Sequence, residues 1–224
     1  MHRICLPAVV MIALVFSVSP AKGQSEENRS VMDGGVFVPG WMAGTDSKEA
    51  KLSVKDSVLY VTTGPAMTYW NPDNKVSGNY TVSATFTEPQ YMNINNHPHP
   101  YGIVIAGNDM GTDQQSYLYC AAYGDGRFIV RGMGPEPFQM NGRRPEANDV
   151  VNKAAGPGEP VTQEIAMSVM DDTVQCAING TVVASYNKAD VVGDGKLTST
   201  DGVYGIRFAH NTDGMVSGLT VTQQ

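Results

Sequence analysis

The sequence predicts an all-β sandwich or barrel, and three observations carry that prediction. Apolar and polar residues alternate with a period of two over most of the chain. Glycine and proline together are 37 of 224 residues, so long helices have little room. Turn dipeptides recur between the alternating runs, giving about a dozen short strands at roughly 8–12-residue spacing.

The stretch 79–87 shows the pattern best. Tyr80, Val82, Ala84 and Phe86 alternate with Asn79, Thr81, Ser83, Thr85 and Thr87, as in a strand with one wet face. Further strands are predicted at 51–54, 57–62, 66–70, 101–107, 116–123, 126–132, 163–170, 173–178, 181–187, 203–209 and 215–222. Asp125-Gly126, Asp171-Asp172 and Asn179-Gly180 separate pairs of them. Asn-Gly is the strongest of these signals, because both residues tolerate the positive φ of a type I′ turn. A short helix finds room only over Pro145 to Ala155. Two long connections, 88–100 and 133–160, are expected to carry function, since loops of that length are uncommon inside a compact β domain.

The N-terminus reads as a secretory leader. His2 and Arg3 precede an apolar run from Ile4 to Val18, and Ala21-Lys22-Gly23 offers small residues at a cleavage point. The run is shorter than the roughly 20 residues a spanning helix needs. The expected organisation is therefore a signal peptide at 1–23, a linker at 24–35 and one domain at 36–224, secreted or periplasmic, with no membrane span in the mature chain. The formal net charge is −7. An acidic domain without a basic stripe is a poor partner for nucleic acid. In an exported chain Cys120 and Cys176 can bridge, or both can remain small buried hydrophobes; their neighbours two positions away are apolar, so both face the core.

Strand parity also sorts the candidate ligand face. Leu118, Cys120 and Ala122 point one way, and Tyr117, Tyr119 and Tyr123 the other. Phe128 and Val130 oppose Arg127, Ile129 and Arg131. One sheet surface thus gathers tyrosines and arginines, whose rings pack on sugar C–H faces and whose polar ends bond hydroxyls. Trp70, Tyr101 and Arg143 are expected to join this substrate-binding surface. In His97-Pro98-His99-Pro100 each histidine precedes proline and is biased to extended geometry, so the two imidazoles share a side. They could meet one polar ligand, or one transition ion with His210 as the third donor. His99 and His210 are also the candidate catalytic residues, since an imidazole titrating near neutrality suits removal of an acidic proton beside a keto group.

Other chemistry is excluded or weak. No Glu-x-Asp-x-Glu run occurs, which removes a conventional glucanase with its carboxylate pair. No phosphate loop, Gly-x-Ser-x-Gly elbow or Cys-x-x-Cys pair is present. Asp190 to Asp201 matches a calcium loop at Asp190, Asp194, Gly195, Thr198 and Asp201, but Val192 stands where an oxygen ligand belongs, so a polar connection is favoured. No cofactor is required; calcium or a transition metal stays open.

Gln163 to Tyr186 runs strand, turn, strand, Asn-Gly, strand, and is similar to the corresponding part of the secreted bacterial 3-keto-disaccharide hydrolase domain. Tyr101-Gly102-Ile103 and the closing stretch Gly202 to His210, followed by Val216 to Val221, also resemble that family. Ala209 departs from it, where an acidic residue often precedes the closing histidine. The resemblance implies a concanavalin A-like jelly roll of two antiparallel sheets and cleavage of 3-keto-glycosides. Three functions follow: an exported lectin-like module binding a carbohydrate or glycoside, an enzyme of the 3-keto-disaccharide hydrolase type, or a structural cell-envelope domain without a small ligand.

Overall fold

Alternation becomes burial along the strand at the middle of the first sheet. From Tyr80 to Glu88 every second residue is buried and the intervening ones are half-exposed. Its neighbour Val161–Met170 repeats the pattern, and the two run antiparallel with Val82 opposite Met167 and Ala84 opposite Ile165. Such a strand can only bury its apolar side against a second layer.

This computed structural model describes residues 51–224. The expected leader at 1–23, the linker at 24–35 and the first part of the domain from 36 lie outside the described residues. The first sheet contains β1 (Lys51–Lys55), β2 (Val58–Thr62), β4 (Tyr80–Glu88), β10 (Val161–Met170), β11 (Thr173–Ile178), β12 (Thr181–Asn187) and β14 (Asp213–Gln223). The second contains β3 (Met67–Val76), β5 (Tyr101–Asn108), β6 (Ser116–Ala122), β7 (Arg127–Met133), β8 (Pro137–Gln139) and β13 (Gly202–Phe208), with β9 (Glu146–Ala147) on β7. Strand order is β1-β2-β14-β4-β10-β11-β12 in the first sheet and β3-β13-β5-β6-β7-β8 in the second. Neighbours pair antiparallel throughout. The chain is thus a jelly-roll sandwich of two antiparallel sheets, as the sequence predicts.

The core lies between the layers. Phe86 of the first sheet meets Tyr101 and Phe208 of the second, with ring centroids 5.9 and 6.0 Å apart. Ile103, Leu118, Phe128, Ile165, Met167 and Val174 fill the same layer. Cys120 on β6 and Cys176 on β11 are joined by a disulfide with Cα atoms 6.1 Å apart. It therefore staples one sheet to the other through the core.

One turn settles as expected: Asn179 and Gly180 both take positive φ, 51° and 80°, the requirement of the type I′ hairpin. The helix does not. Residues 145–155 hold β9 and turns, because Asn148 accepts the Val150 N–H at 3.1 Å and Asn152 bonds to Thr162 and Gln163. Asparagine side chains that capture backbone groups in this way compete with helix formation. The one helical turn among the described residues, α1, is Lys188–Val191. Among those residues no helix is long and apolar enough to cross a membrane.

Candidate functional site

The second sheet has two apolar faces rather than one. Its inner face joins the core. Its outer face gathers Val104, Tyr117, Tyr119, Ala121, Tyr123 and Ile129 in a separate buried cluster. Parity explains the division: Leu118 and Cys120 turn inward, so Tyr117, Tyr119 and Ala121 turn outward, and Phe128 and Val130 inward leaves Ile129 and Arg131 outward. Register then sets Tyr119 opposite Arg131 on β7 and opposite Val104 on β5.

The histidines reach this face because two chains leave the sheet together. Tyr101 pairs with Phe208, and the Ala209 N–H continues the ladder by donating to the Pro100 carbonyl at 2.9 Å. Beyond that point His99 and His210 stand side by side, ring centroids 4.0 Å apart. His97 meets His99 edge to face at 4.5 Å, as the extended His-Pro-His-Pro geometry requires. One ring nitrogen from each of the three lies within 4.8 Å of the other two.

The hydrogen bonds assign the protons. Asn95 Nδ2 donates to the Asn211 carbonyl at 2.6 Å, which can only accept, and gives its second hydrogen to His99 Nδ1 at 2.7 Å. A neutral His99 therefore carries its proton on Nε2 and donates it to His97 Nε2 at 2.9 Å. His97 in turn donates from Nδ1 to Asn96 Oδ1 at 2.9 Å. Burial, with the positive charge His210 and His97 can carry, lowers the His99 pKa to about 4. His99 is thus neutral at pH 7, which corrects the expectation of titration near neutrality. The three imidazoles are a donor set that a first-row transition ion could use, although the His97 and His99 Nε2 positions are already engaged with each other.

Tyr119, Tyr123, Arg131, Arg207 and the three histidines line a common cavity of about 270 Å³. Arg207 is 7% exposed. It donates from Nη1 to Thr68 Oγ1 at 2.7 Å and to Tyr117 Oη at 3.3 Å. Its guanidinium lies 5.0 Å from the Tyr119 ring centroid. Arg207 starts on β13, and Tyr119 sits on β6, two strands away. The strand between places Gly102 opposite Arg207, at a point where a Cβ would run into the Cys120 carbonyl of β6.

Several expected residues go elsewhere. Tyr101 has the inward parity of Ile103 and Ile105, so it stacks in the core on Phe86 and leaves the ligand face. Trp70 is on the outer face but packs with Val203 and Met110 at a separate groove. Arg127 is held by Asp125, its Nε donating at 2.7 Å, and leans on Tyr123 rather than into the cavity. Arg143 supplies its carbonyl to Arg131 Nη2 at 3.1 Å and does not line the cavity. Tyr117 lines a small neighbouring recess with Tyr119 and Arg131. In 190–201 the carboxylates do not converge: Asp190 accepts from Asn187, while Asp201 accepts from the Gly78 N–H. Arg207 was missed by the sequence reading. Its signal was parity, since Val203 and Arg207 share one side of a strand whose other side is Tyr204, Ile206 and Phe208.

No protein-family model matches the chain. No curated protein matches it either. Solved structures do. The carbohydrate-binding module CBM66 from Bacillus subtilis is similar at 5% identity and a TM-score of 0.52, covering 78% of this chain and 92% of that one. A protein of unknown function with a galectin-like fold, also from Bacillus subtilis, is similar at 12% identity and a TM-score of 0.53, with 78% and 86% covered. At these identities the likeness is one of fold: this chain folds as a jelly-roll sandwich of the kind those two structures share.

Proposed function

We propose that the protein binds a carbohydrate on the outer face of its second sheet. The observation that carries the reading is the 270 Å³ cavity where Tyr119 and Tyr123 stand beside Arg131, Arg207 and three histidines. Aromatic rings offer a platform for a sugar ring, and guanidinium and imidazole N–H groups are donors for its hydroxyls. One similar fold bears the name of a carbohydrate-binding module. The buried inter-sheet disulfide suits an oxidising compartment, which supports the secreted or periplasmic reading and the leader at 1–23. Isothermal titration against a set of oligosaccharides tests the proposal. Saturable binding that Tyr119→Ala weakens supports it. A flat titration throughout that set would leave the structural reading of the domain.

Cleavage of 3-keto-glycosides is the second reading, favoured by the imidazole cluster on the cavity wall. Both nitrogens of His99 are engaged by Asn95 and His97. His99 therefore positions, as does His97, whose Nε2 and Nδ1 are engaged by His99 and Asn96, and removal of the proton beside the keto group falls to His210, with the glycosidic oxygen as leaving group. Release of reducing sugar from 3-keto-trehalose or 3-keto-lactose, lost in the His99→Ala and His210→Ala pair, supports this reading. Binding without turnover leaves the recognition module.

A further inference from the structure

The charge on the cavity wall is one-sided. Arg131 and Arg207 line it with three histidines, of which His99 is neutral at pH 7, and among the described residues no aspartate or glutamate does. This occurs in a chain with 22 acidic and 15 basic residues. A buried guanidinium is ordinarily paired with a carboxylate, because an uncompensated charge in a low-dielectric site is costly. Arg127 follows that rule through Asp125. Arg207, the more deeply buried of the two, meets no carboxylate among the described residues: its partners are the Thr68, Tyr117 and Tyr119 hydroxyls and the tyrosine rings. Arg131 adds a buried Nε with no hydrogen-bond partner. Arginine stays protonated at any working pH, so neither charge is relieved by losing a proton.

From this imbalance we infer that the sugar is an acidic one, whose ring-borne anion, a uronate carboxylate or a sulfate ester, supplies the counter-charge to Arg207 and Arg131. The inference rests on the carbohydrate reading above and names the substrate class for the same cavity. Tyr119 fits the arrangement, since it lies under the Arg207 guanidinium and opposite Arg131 in the ladder. A sugar seated in the cavity beside that tyrosine meets both guanidiniums, which line the same cavity and can receive an exocyclic anion. Planar guanidinium forks match a carboxylate through two parallel N–H···O bonds, and they also donate to sulfate oxygens.

The test is calorimetric titration of the whole chain with three probes: a galacturonate trisaccharide, the same trisaccharide as its methyl ester, and a sulfated galactan trisaccharide. The inference predicts that the free acid or the sulfated sugar binds about tenfold to a hundredfold more tightly than the ester. Preference for one of these over the other identifies the anion. The advantage should shrink as salt rises. Arg131→Gln and Arg207→Gln should each remove most of it while changing ester affinity less. Arg131 is half-buried on the cavity edge, so Arg131→Gln keeps the test decisive if Arg207→Gln fails to fold. Equal binding of the ester, the acid and the sulfated sugar overturns the inference and leaves the carbohydrate reading standing. Binding of none of the three, together with a flat titration against the neutral set, overturns both.

Discussion

The Arg207 guanidinium rests 5.0 Å from the centre of the Tyr119 ring, two strands away across β5, where Gly102 is its ladder partner. A cation over an aromatic face is attracted by the ring quadrupole, and the attraction grows when water is excluded. The contact fixes both partners. Tyr119 is held beside the cavity, and the guanidinium is held on its lining rather than free to sweep through solvent.

Replacing Tyr119 should therefore act on binding more than on folding. Its ring lies in the small outer cluster and not in the core between the sheets. Tyr119→Ala is expected to weaken sugar affinity about tenfold, the equivalent of roughly 1.4 kcal/mol of lost stacking, with the thermal unfolding transition still cooperative. Unchanged affinity by calorimetry would take this tyrosine out of the site.

The disulfide gives a separate expectation for stability. Cys120 and Cys176 close a loop with a sequence separation of 56 residues. Constraining the unfolded chain over such a loop contributes about 2–4 kcal/mol. Urea unfolding of the oxidised protein, compared with a Cys120→Ala/Cys176→Ala variant, should show a loss of that size. Coincident curves would mean that the bond closes a gap the core already holds shut.

Glu88 sets a pH dependence. Burial raises its pKa from 4.5 to about 7, and Asp213 nearby pushes the same way, although the Met92 N–H donated to it pulls back. A carboxyl raised in the folded state is most favourable when protonated. Its contribution is fully present below about pH 4.5 and is lost as pH rises through about 7, a swing of about 3 kcal/mol. Denaturation midpoints measured from pH 5 to pH 8 should fall, and Glu88→Gln should flatten the fall and stabilise the protein at pH 8. A variant that keeps the wild-type slope would assign the pH dependence to another group.

The histidine cluster makes an equally direct prediction about metal. Asn95 pins His99 Nδ1 as an acceptor, so the His99 Nε2 hydrogen points at His97 and not at an ion. Sugar affinity should be the same before and after treatment with a chelator. Loss of affinity in chelator, restored by zinc, would show that the three imidazoles hold an ion when the ligand binds.

Period-two patterning was enough to place the strands, since each face either meets the opposite sheet or does not. It also sorted Tyr119 and Arg131 from Leu118 and Phe128, because parity needs only the strand itself. The same rule applied to Tyr101 would have sent it inward with Ile103 and Ile105; grouping it by residue type placed it at the surface. The meeting of His97 and His99 with His210 was offered by the sequence as a three-histidine donor set and is found, while its geometry follows from the Tyr101–Phe208 pairing, a register between strands far apart in the chain. Arg207 was legible as the one charged residue in a strand otherwise fit for burial, yet its role depends on which strand lies two positions across the sheet. The fate of Arg127 and Arg143 was decided by local partners, Asp125 for the first and a backbone contact with Arg131 for the second.

Amide and side-chain chemical shifts recorded during titration with a bound oligosaccharide test the location of the site most directly. The account predicts that the largest changes fall on Tyr119, Tyr123, Arg131, Arg207 and the His97/His99/His210 cluster, with Trp70 and its groove unmoved. Changes centred on Trp70, Met110 and Val203, with the tyrosine face silent, would contradict it.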